Sequence, residues 1–304
     1  MTVQKLSSTD AFVVVDLPDA PAAGVVRRAR KILQSSASDL ARSATYTFAG
    51  FGIERGGASA GINAPADVGA GPAEAFTTEL LDRVSSGDLV LSAGKGMAPA
   101  DLGPLDAVTP LNTSADRDAA TAAGIVAAAS WAAGGSLRDV TVAIEGAGQE
   151  PAGLGAALTA AGAKLIEVWG VEEKPWLVWG ADVDVLLAGS KPGALTHQGA
   201  GTISAKALVP WGPIPVTTKA YAQLKRAGTV TLVPDFVSIA GGLLAPVLDG
   251  DAGTVISGVV DRISSVLDDC AGHPEGLFMG ACLRAEEFLA GWRGELPFGR
   301  PLAA

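Results

Sequence analysis

Few residues in this chain could do chemistry, and each sits in its own local setting. Asp101 lies in Pro99-Ala100-Asp101-Leu102-Gly103-Pro104, where proline and glycine fix the turn. A carboxylate in such a loop serves as a general acid or base when partly desolvated, and serves equally well as a helix cap. Gly146-Ala147-Gly148 follows a β-branched run and precedes Pro151, Gly153 and Gly155. A glycine turn between strand and helix can seat a pyrophosphate on the helix N-terminus, or can simply be a tight turn that binds nothing. Pro151 occupies the usual third glycine position, which a first helical turn tolerates. His197 and His273 are the two histidines. His197 follows a predicted strand, where a site residue or an ordinary loop histidine both fit. Cys270, His273 and Cys282 supply too few donors for a structural zinc tetrahedron, so no metal is expected. No Ser-His-Asp order and no nucleophile elbow occurs.

The elements that must position these residues can be read from periodicity and punctuation. Ala11 to Val15 reads as a strand, and residues 38–50 as a helix. Arg55 to Ile62 is glycine-rich and reads as a turn. Residues 72–84 read as a helix closed by Ser85-Ser86-Gly87, with a short strand at Asp88 to Leu91. Ala119 to Ala133 is a small-residue helix ended by Gly134-Gly135. The strand Val140 to Ile144, the glycine turn, a helix from Pro151 to Ala161 and the strand Lys164 to Val168 form a βαβ unit. Strands follow near residues 183–187, 207–209 and 230–233, with a helix at 217–227 and helices from about Gly253 to Trp292. Only 17 residues lie between Lys164 and Asp182, which barely accommodates a second helix and a third strand. The adenosine half of any dinucleotide pocket is therefore expected to be small or unusual.

Composition bounds the partners. The chain has 304 residues, enough for about two domains. It carries 22 Lys and Arg against 32 Asp and Glu, a net charge of −10, which excludes a basic nucleic-acid footprint and attraction to anionic lipid. Hydrophobic residues make up 48%, so the chain is not disordered. The uncharged run Ala119 to Leu137 is nominally long enough to span a bilayer, but its Ala, Gly, Ser and Thr content fits a buried helix. The first residues lack an apolar signal segment and two cysteines make no disulfide framework, so a cytoplasmic address is expected.

Taken in order, these segments resemble the Glu/Leu/Phe/Val amino-acid dehydrogenase family. Leu40-Ala41-Arg42-Ser43-Ala44-Thr45-Tyr46-Thr47 and Gly56-Gly57-Ala58-Ser59 are similar to its substrate-domain helix and glycine turn. Pro99 to Gly103 is similar to its catalytic aspartate loop, and Ala120 to Gly124 to the threonine-bearing helix beside the nicotinamide. Gly146 to Gly148 matches its dinucleotide turn, and Val233 to Gly242 its late strand and Asn-Ala-Gly-Gly. The resemblance implies a fold of α/β class with two domains. Residues 1–113 would bind substrate and oligomerise, 114–245 would form a Rossmann-like dinucleotide domain with a parallel sheet, and the C-terminal helices, 246–304, would pack back across the cleft.

The departures bear on chemistry. In the family one lysine holds the substrate carboxylate and a second activates the attacking water; Thr47 and Ser59 stand at those positions here. The family's Gly-Gly near the carboxylate becomes Gly24-Val25, and its asparagine before Ala-Gly-Gly becomes Ile239. The resemblance then implies Asp101 and Ser59 as catalytic residues and Thr47, Gly24 and Val25 as substrate-binding. Gly146, Gly148, Thr121 and Ile239 would line an NAD or NADP site. The leading expectation is a divergent NAD(P)-linked oxidoreductase acting on a small, non-standard substrate, with no obvious cation for a carboxylate. Its alternatives are a catalytically silent binding or assembly homologue, and a cofactor-independent lyase or isomerase with Asp101 as base. The family resemblance and the apolar strand Phe12 to Val15 suggest a homo-oligomer with that strand at the subunit interface.

Overall fold

A computed structural model describes residues 1–294, 299, 302 and 303. The chain divides into two compact units, Met1–Thr113 with Ala285–Pro301, and Ser114–Arg284 with Leu302–Ala304.

The first unit runs β1 (Thr2–Lys5), β2 (Ala11–Val15), β3 (Ala22–Ala29), α1 (Gln34–Gly50), β4 (Gly56–Asn63), α2 (Gly71–Ser85), β5 (Leu89–Ala93) and α3 (Gly103–Asp106). Its mixed sheet has the order β1-β2-β4-β3-β5, antiparallel at β1, β2 and β4 and parallel through β4, β3 and β5. One face carries Val13, Val26, Ala60, Ile62, Leu89 and Leu91 against Phe76 and Leu80 of α2. The other carries Phe12 and Val14 against Ala37 and Ala41 of α1.

One expectation is corrected here, and two further strands join the sheet. The glycine-rich stretch Arg55 to Ile62 is not a turn: residues 56–63 form the central strand β4. Its glycines permit close packing, since a Cβ on Gly57 would lie 1.9 Å from the Ala41 carbonyl oxygen and 2.5 Å from the Thr45 nitrogen of α1. Strands β1 and β3 carry little signal in the sequence, because β1 is largely polar and exposed and β3 runs from small residues and two valines into two consecutive arginines. Finally, β2 is no edge strand. It pairs with β1 on one side and β4 on the other, and all five of its residues are buried.

The second unit begins with α4 (Arg117–Ala132), whose N-terminus is capped by the Asp116 carboxylate accepting from the Ala119 N–H at 2.7 Å. There follow β6 (Thr141–Ile144), α5 (Leu154–Ala160), β7 (Lys164–Leu165), β8 (Val185–Ala188), α6 (His197–Ala200), β9 (Ala207–Pro210), α7 (Thr218–Ala227) and β10 (Thr231–Leu232). The last elements are α8 (Asp235–Ser238), α9 (Gly241–Leu244), α10 (Ala252–Ala271) and α11 (Leu277–Arg293). The sheet is parallel throughout, in the order β10-β9-β8-β6-β7. The expected strand Lys164 to Val168 shrinks to two residues, and the expected helix from Pro151 starts at Leu154, after Gly153 at φ 80°. Between β7 and β8 lies only a 3-10 stretch, Pro175–Gly180, so among the described residues no strand flanks β7 on its outer side. This is a doubly wound sheet without its third strand.

Helix α4 packs tightly, which explains its small residues and the Gly241-Gly242 pair. A Cβ on Gly241 would sit 2.0 Å from the Ala120 carbonyl oxygen, and one on Gly242 2.7 Å from Thr121 Oγ1. No helix among the described residues is long and apolar enough to cross a membrane. Helix α10 belongs wholly to the second unit, whereas α11 passes into the first at Ala285. The expected C-terminal segment 246–304 lies partly outside the described residues.

Candidate functional site

In the first unit, β4 and α1 bring several candidates to one face of the mixed sheet. Ser59 lies two residues beyond Gly57 on β4, so both project toward α1. Its hydroxyl is buried, at 1% exposure, and has no hydrogen-bond partner. Thr47, on α1, is equally buried, but its hydroxyl donates back to the Ser43 carbonyl at 3.3 Å. Gly24 pairs with Ala58, and a Cβ there would collide with the Ala58 backbone, so the glycine is needed for that approach. Val25 is half-buried and lies opposite Ser59 in the register.

A charged network missed by sequence reasoning lies on this same face. Asp16, just after β2, is buried and receives the Arg42 guanidinium side-on, Nε to Oδ2 and Nη2 to Oδ1, both at 2.7 Å. Thr45 Oγ1 donates to the same carboxylate at 2.6 Å and accepts from the Gly57 N–H at 2.9 Å. A buried charge needs such complete pairing. The signal in the sequence was an aspartate closing a fully apolar strand, with Arg42 and Thr45 three residues apart on a helix.

Arg27 was also overlooked. The β3–β4 register places it opposite Gly61, one pair beyond Ser59 on the same face. Its Nε and Nη2 are buried without a hydrogen-bond partner, and burial pulls the guanidinium pKa below its ordinary value. Arg27 thus puts a cation on the same sheet face as Ser59.

Asp101 lies on a 3-10 turn, Pro99–Leu102. It is half-buried, and its Oδ2 accepts from the Ala98 N–H at 2.8 Å while its own N–H donates to the Ala98 carbonyl at 3.0 Å. The side chain thus closes the first turn, the capping role that the loop sequence allowed. A cavity of about 420 Å³ in the first unit is elsewhere, bordered by Lys5, Asp10, Phe12, Ile32 and Asn63. There the Asn63 amide already donates to Asp10 and accepts from the Ile32 N–H.

In the second unit the glycine turn leaves β6 at the point where the sheet order reverses, β7 lying to one side and β8 to the other. Gly146 and Gly148 have φ of 70° and 87°. A Cβ on Gly146 would lie 2.5 Å from Ser190 Cβ, whereas one on Gly148 would meet nothing within 4 Å. The Gly148 N–H donates to Glu150 Oε2 at 2.6 Å. Glu145, at the end of β6, accepts from the Gly189 and Ser190 N–H groups at 3.0 and 3.1 Å and from the Ser190 hydroxyl. Backbone donors at the switch point therefore already hold anionic oxygens. The space above Gly148 is open, but its N–H is engaged by the half-buried Glu150 carboxylate, which an anion binding there would have to displace.

Thr121 is half-buried on α4, its hydroxyl donating to the Arg117 carbonyl at 2.8 Å, and Ile239 caps α8 beside Ala240 and Gly241. His197 is exposed on α6, and His273 Nδ1 accepts from the Glu275 N–H at 3.1 Å. Cys270 and Cys282 are buried and form no disulfide, and burial raises the Cys270 thiol pKa. Among the described residues no three His, Cys, Asp or Glu side chains gather as a metal site.

A mixed sheet covered by helices, joined to a parallel doubly wound sheet, is the two-domain fold of the amino-acid dehydrogenases. In particular, the chain is similar to the hetero-hexameric glutamate dehydrogenase of Thermus thermophilus in its leucine-bound form. That match has a TM-score of 0.79 at 21% identity and covers 93% of this chain and 84% of that one. The L-tryptophan dehydrogenase of Nostoc punctiforme gives 0.70 at 19% identity, covering 97% of each chain. Glutamate dehydrogenase 2 of Plasmodium falciparum gives 0.72 at 14% identity, covering 94% of this chain and 81% of that one. No protein-family model and no curated protein sequence matches the chain.

Proposed function

We propose that this chain is a divergent NAD(P)-linked oxidoreductase of the amino-acid dehydrogenase type, acting on a small, non-standard substrate. The observation that carries the reading is the glycine turn. It stands at the switch point of a parallel sheet, within a fold shared with glutamate and tryptophan dehydrogenases over more than nine-tenths of the chain. Gly146 and Gly148 would hold the pyrophosphate, with Thr121 and Ile239 nearer the nicotinamide. When bound, the dinucleotide supplies or accepts a hydride. Asp101 moves a proton through the carboxylate oxygen not engaged by the Ala98 N–H, and Ser59 offers an uncommitted hydroxyl. Thr47, bonded to its own helix, acts by shape more than by hydrogen bonding.

The chemistry differs from amino-acid deamination. Hydrolysis of an imine needs a water made nucleophilic by a base or cation, and Ser59 has no base at hand. A positioned acid–base group is worth about 10²–10⁴-fold in rate, so deamination of common amino acids should be slight. A panel of amino acids with both nucleotides tests this, and robust turnover of glutamate, leucine, phenylalanine or valine overturns it.

A second reading, a cofactor-independent lyase or isomerase or a catalytically silent homologue, draws on two observations. The sheet lacks the strand outside β7, and Glu145 and Glu150 occupy donors at the switch point. Calorimetric titration with NAD(H) and NADP(H) separates the two. Binding of either supports the oxidoreductase; silence toward both selects the second reading.

A further inference from the structure

We infer that the outer edge of β7, with the indoles beside it, is an interface for a second copy of this chain. The two β7 strands pair antiparallel about a two-fold axis at Leu165.

The backbone is the first support. A doubly wound sheet ordinarily covers this edge with a third strand. Here, among the described residues, no strand flanks β7 on its outer side. The Lys164 and Ile166 N–H groups donate inward, to the Val140 and Val142 carbonyls, both at 2.8 Å. Backbone groups alternate in direction along a strand, so the N–H and C=O of Leu165 point outward. Two such residues set face to face exchange both bonds, as in the hydrogen-bonded pairs of an antiparallel ladder. Pairing at Leu165 sets Lys164 against Ile166 of the other copy and Ala163 against its Glu167, so no like charges stand opposite each other.

The side chains are the second support. Trp169 is 94% exposed and Trp176 62%, and Leu165, Ile166 and Leu177 are each about two-fifths exposed. The loop that carries the indoles folds on itself. The Lys174 N–H donates to the Gly170 carbonyl at 2.9 Å, and a Cβ on Gly170 would lie 3.4 Å from Leu177 Cδ1. The two indoles alone leave roughly 400 Å² of mostly apolar surface open, about half of the 800 Å² that each partner contributes to a standard interface. Monomers rarely expose contiguous apolar patches beyond a few hundred Å². The exposed charges around the patch are of both signs, Lys164 and Lys174 with Glu167, Glu172 and Glu173, so the surface selects no strongly charged partner. A second copy brings an identical apolar patch to the same axis, the self-complementarity that an isologous contact requires.

The test uses the full chain. Sedimentation at micromolar concentration should show a dimer or a multiple of it. Trp169→Asp, which removes almost no buried contact, should weaken that association by about 10- to 100-fold. Leu165→Pro takes away the outward N–H that the ladder needs and should have the same effect. Association unchanged by both substitutions belongs to another surface, such as the edge of β1, and would overturn the site, as would a monomeric parent. Leu165→Cys reports the axis itself, because residues opposite each other in a hydrogen-bonded pair lie about 5.5 Å apart at Cα, within reach of a disulfide. Mild oxidation should join two copies of that variant, whereas the parent, with Cys270 and Cys282 buried, should stay unjoined. Adding Trp169→Asp should abolish the cross-link. A Leu165→Cys chain that associates without cross-linking would overturn the pairing. Circular dichroism checks folding, and if Leu165→Pro fails to fold, Trp169→Asp decides.

Discussion

At the scale of single residues, Asp101 has two duties that a conservative replacement can separate. Its Oδ2 holds the Ala98 N–H, a role that an asparagine oxygen can keep, while the ability to carry a proton disappears. Asp101→Asn is therefore expected to melt like the parent and to lose about 10²–10⁴-fold in turnover of the true substrate. Full activity in that variant would reduce Asp101 to a cap. The Asp16 and Arg42 pair behaves differently. Removing one member leaves the other buried and uncompensated, so Arg42→Ala should destabilise the first unit by about 3–5 kcal/mol, read by denaturant unfolding. What the sequence disclosed at this scale was residue type and neighbourhood, as for Asp101 and the glycine turn. Arg27 stayed hidden because nothing in Gly24-Val25-Val26-Arg27-Arg28 says which arginine turns inward or that its neighbours across the sheet are glycines. That information resides in strand register, and register is set by tertiary pairing.

Elements were legible wherever one face is apolar and the ends are punctuated. Helix α7 sits where its Thr217 cap and Gly228 stop put it, the Thr217 hydroxyl accepting from the Ala220 N–H and Gly228 at φ 65°. Strand β4 was misread because glycine is ordinarily a poor strand former, and only the helix lying on its backbone explains the choice. Between elements, two exposed carboxylates act as clasps. Glu79 of α2 accepts from the Ser8 hydroxyl and the Ser7 and Ser8 N–H groups, which lowers its pKa from 4.5 to about 2. Asp184 is bonded to Lys206 first and to Thr141, and falls from 3.8 to about 2. Each pKa is lower in the folded chain than in the unfolded one. The stabilisation is therefore complete above the ordinary carboxylate range and fades as pH falls toward about 2. Glu79→Gln and Asp184→Asn should flatten the loss of stability between about pH 5 and about pH 2 in acid titrations followed by circular dichroism. Slopes identical to the parent would rule out this role.

For the whole molecule, the exposed strand is β1, and its free edge is where a second copy would add to the sheet. We propose that the chain assembles as a homo-oligomer through this edge, with β2 supporting it from within. Sedimentation at micromolar concentration should show more than a monomer, and Val3→Pro, which removes a donor from β1, should shift the population toward monomer. A monomeric parent would sink the proposal. The shortened interval after Lys164 was visible in the sequence as a simple matter of length, and it translated directly into a sheet with one strand fewer. Its side chains were not foreseeable: Trp169 is 94% exposed and Trp176 62%, where an apolar residue would ordinarily be covered.

The first unit is assembled from the two ends of the chain, and this sets an order of events during synthesis. The Tyr46 hydroxyl donates to Glu286 at 2.9 Å across 240 residues of sequence, and Arg293 approaches Asp19 at 3.9 Å. The second unit is nearly continuous, so most of it can fold once residue 284 has left the ribosome. The first unit emerges earliest yet closes last, because the end of α11 arrives only after the intervening domain has been made. Until then the Tyr46 side of α1 lacks its native cover. A translational pause or truncation near the C-terminus would thus be felt by the oldest part of the nascent chain.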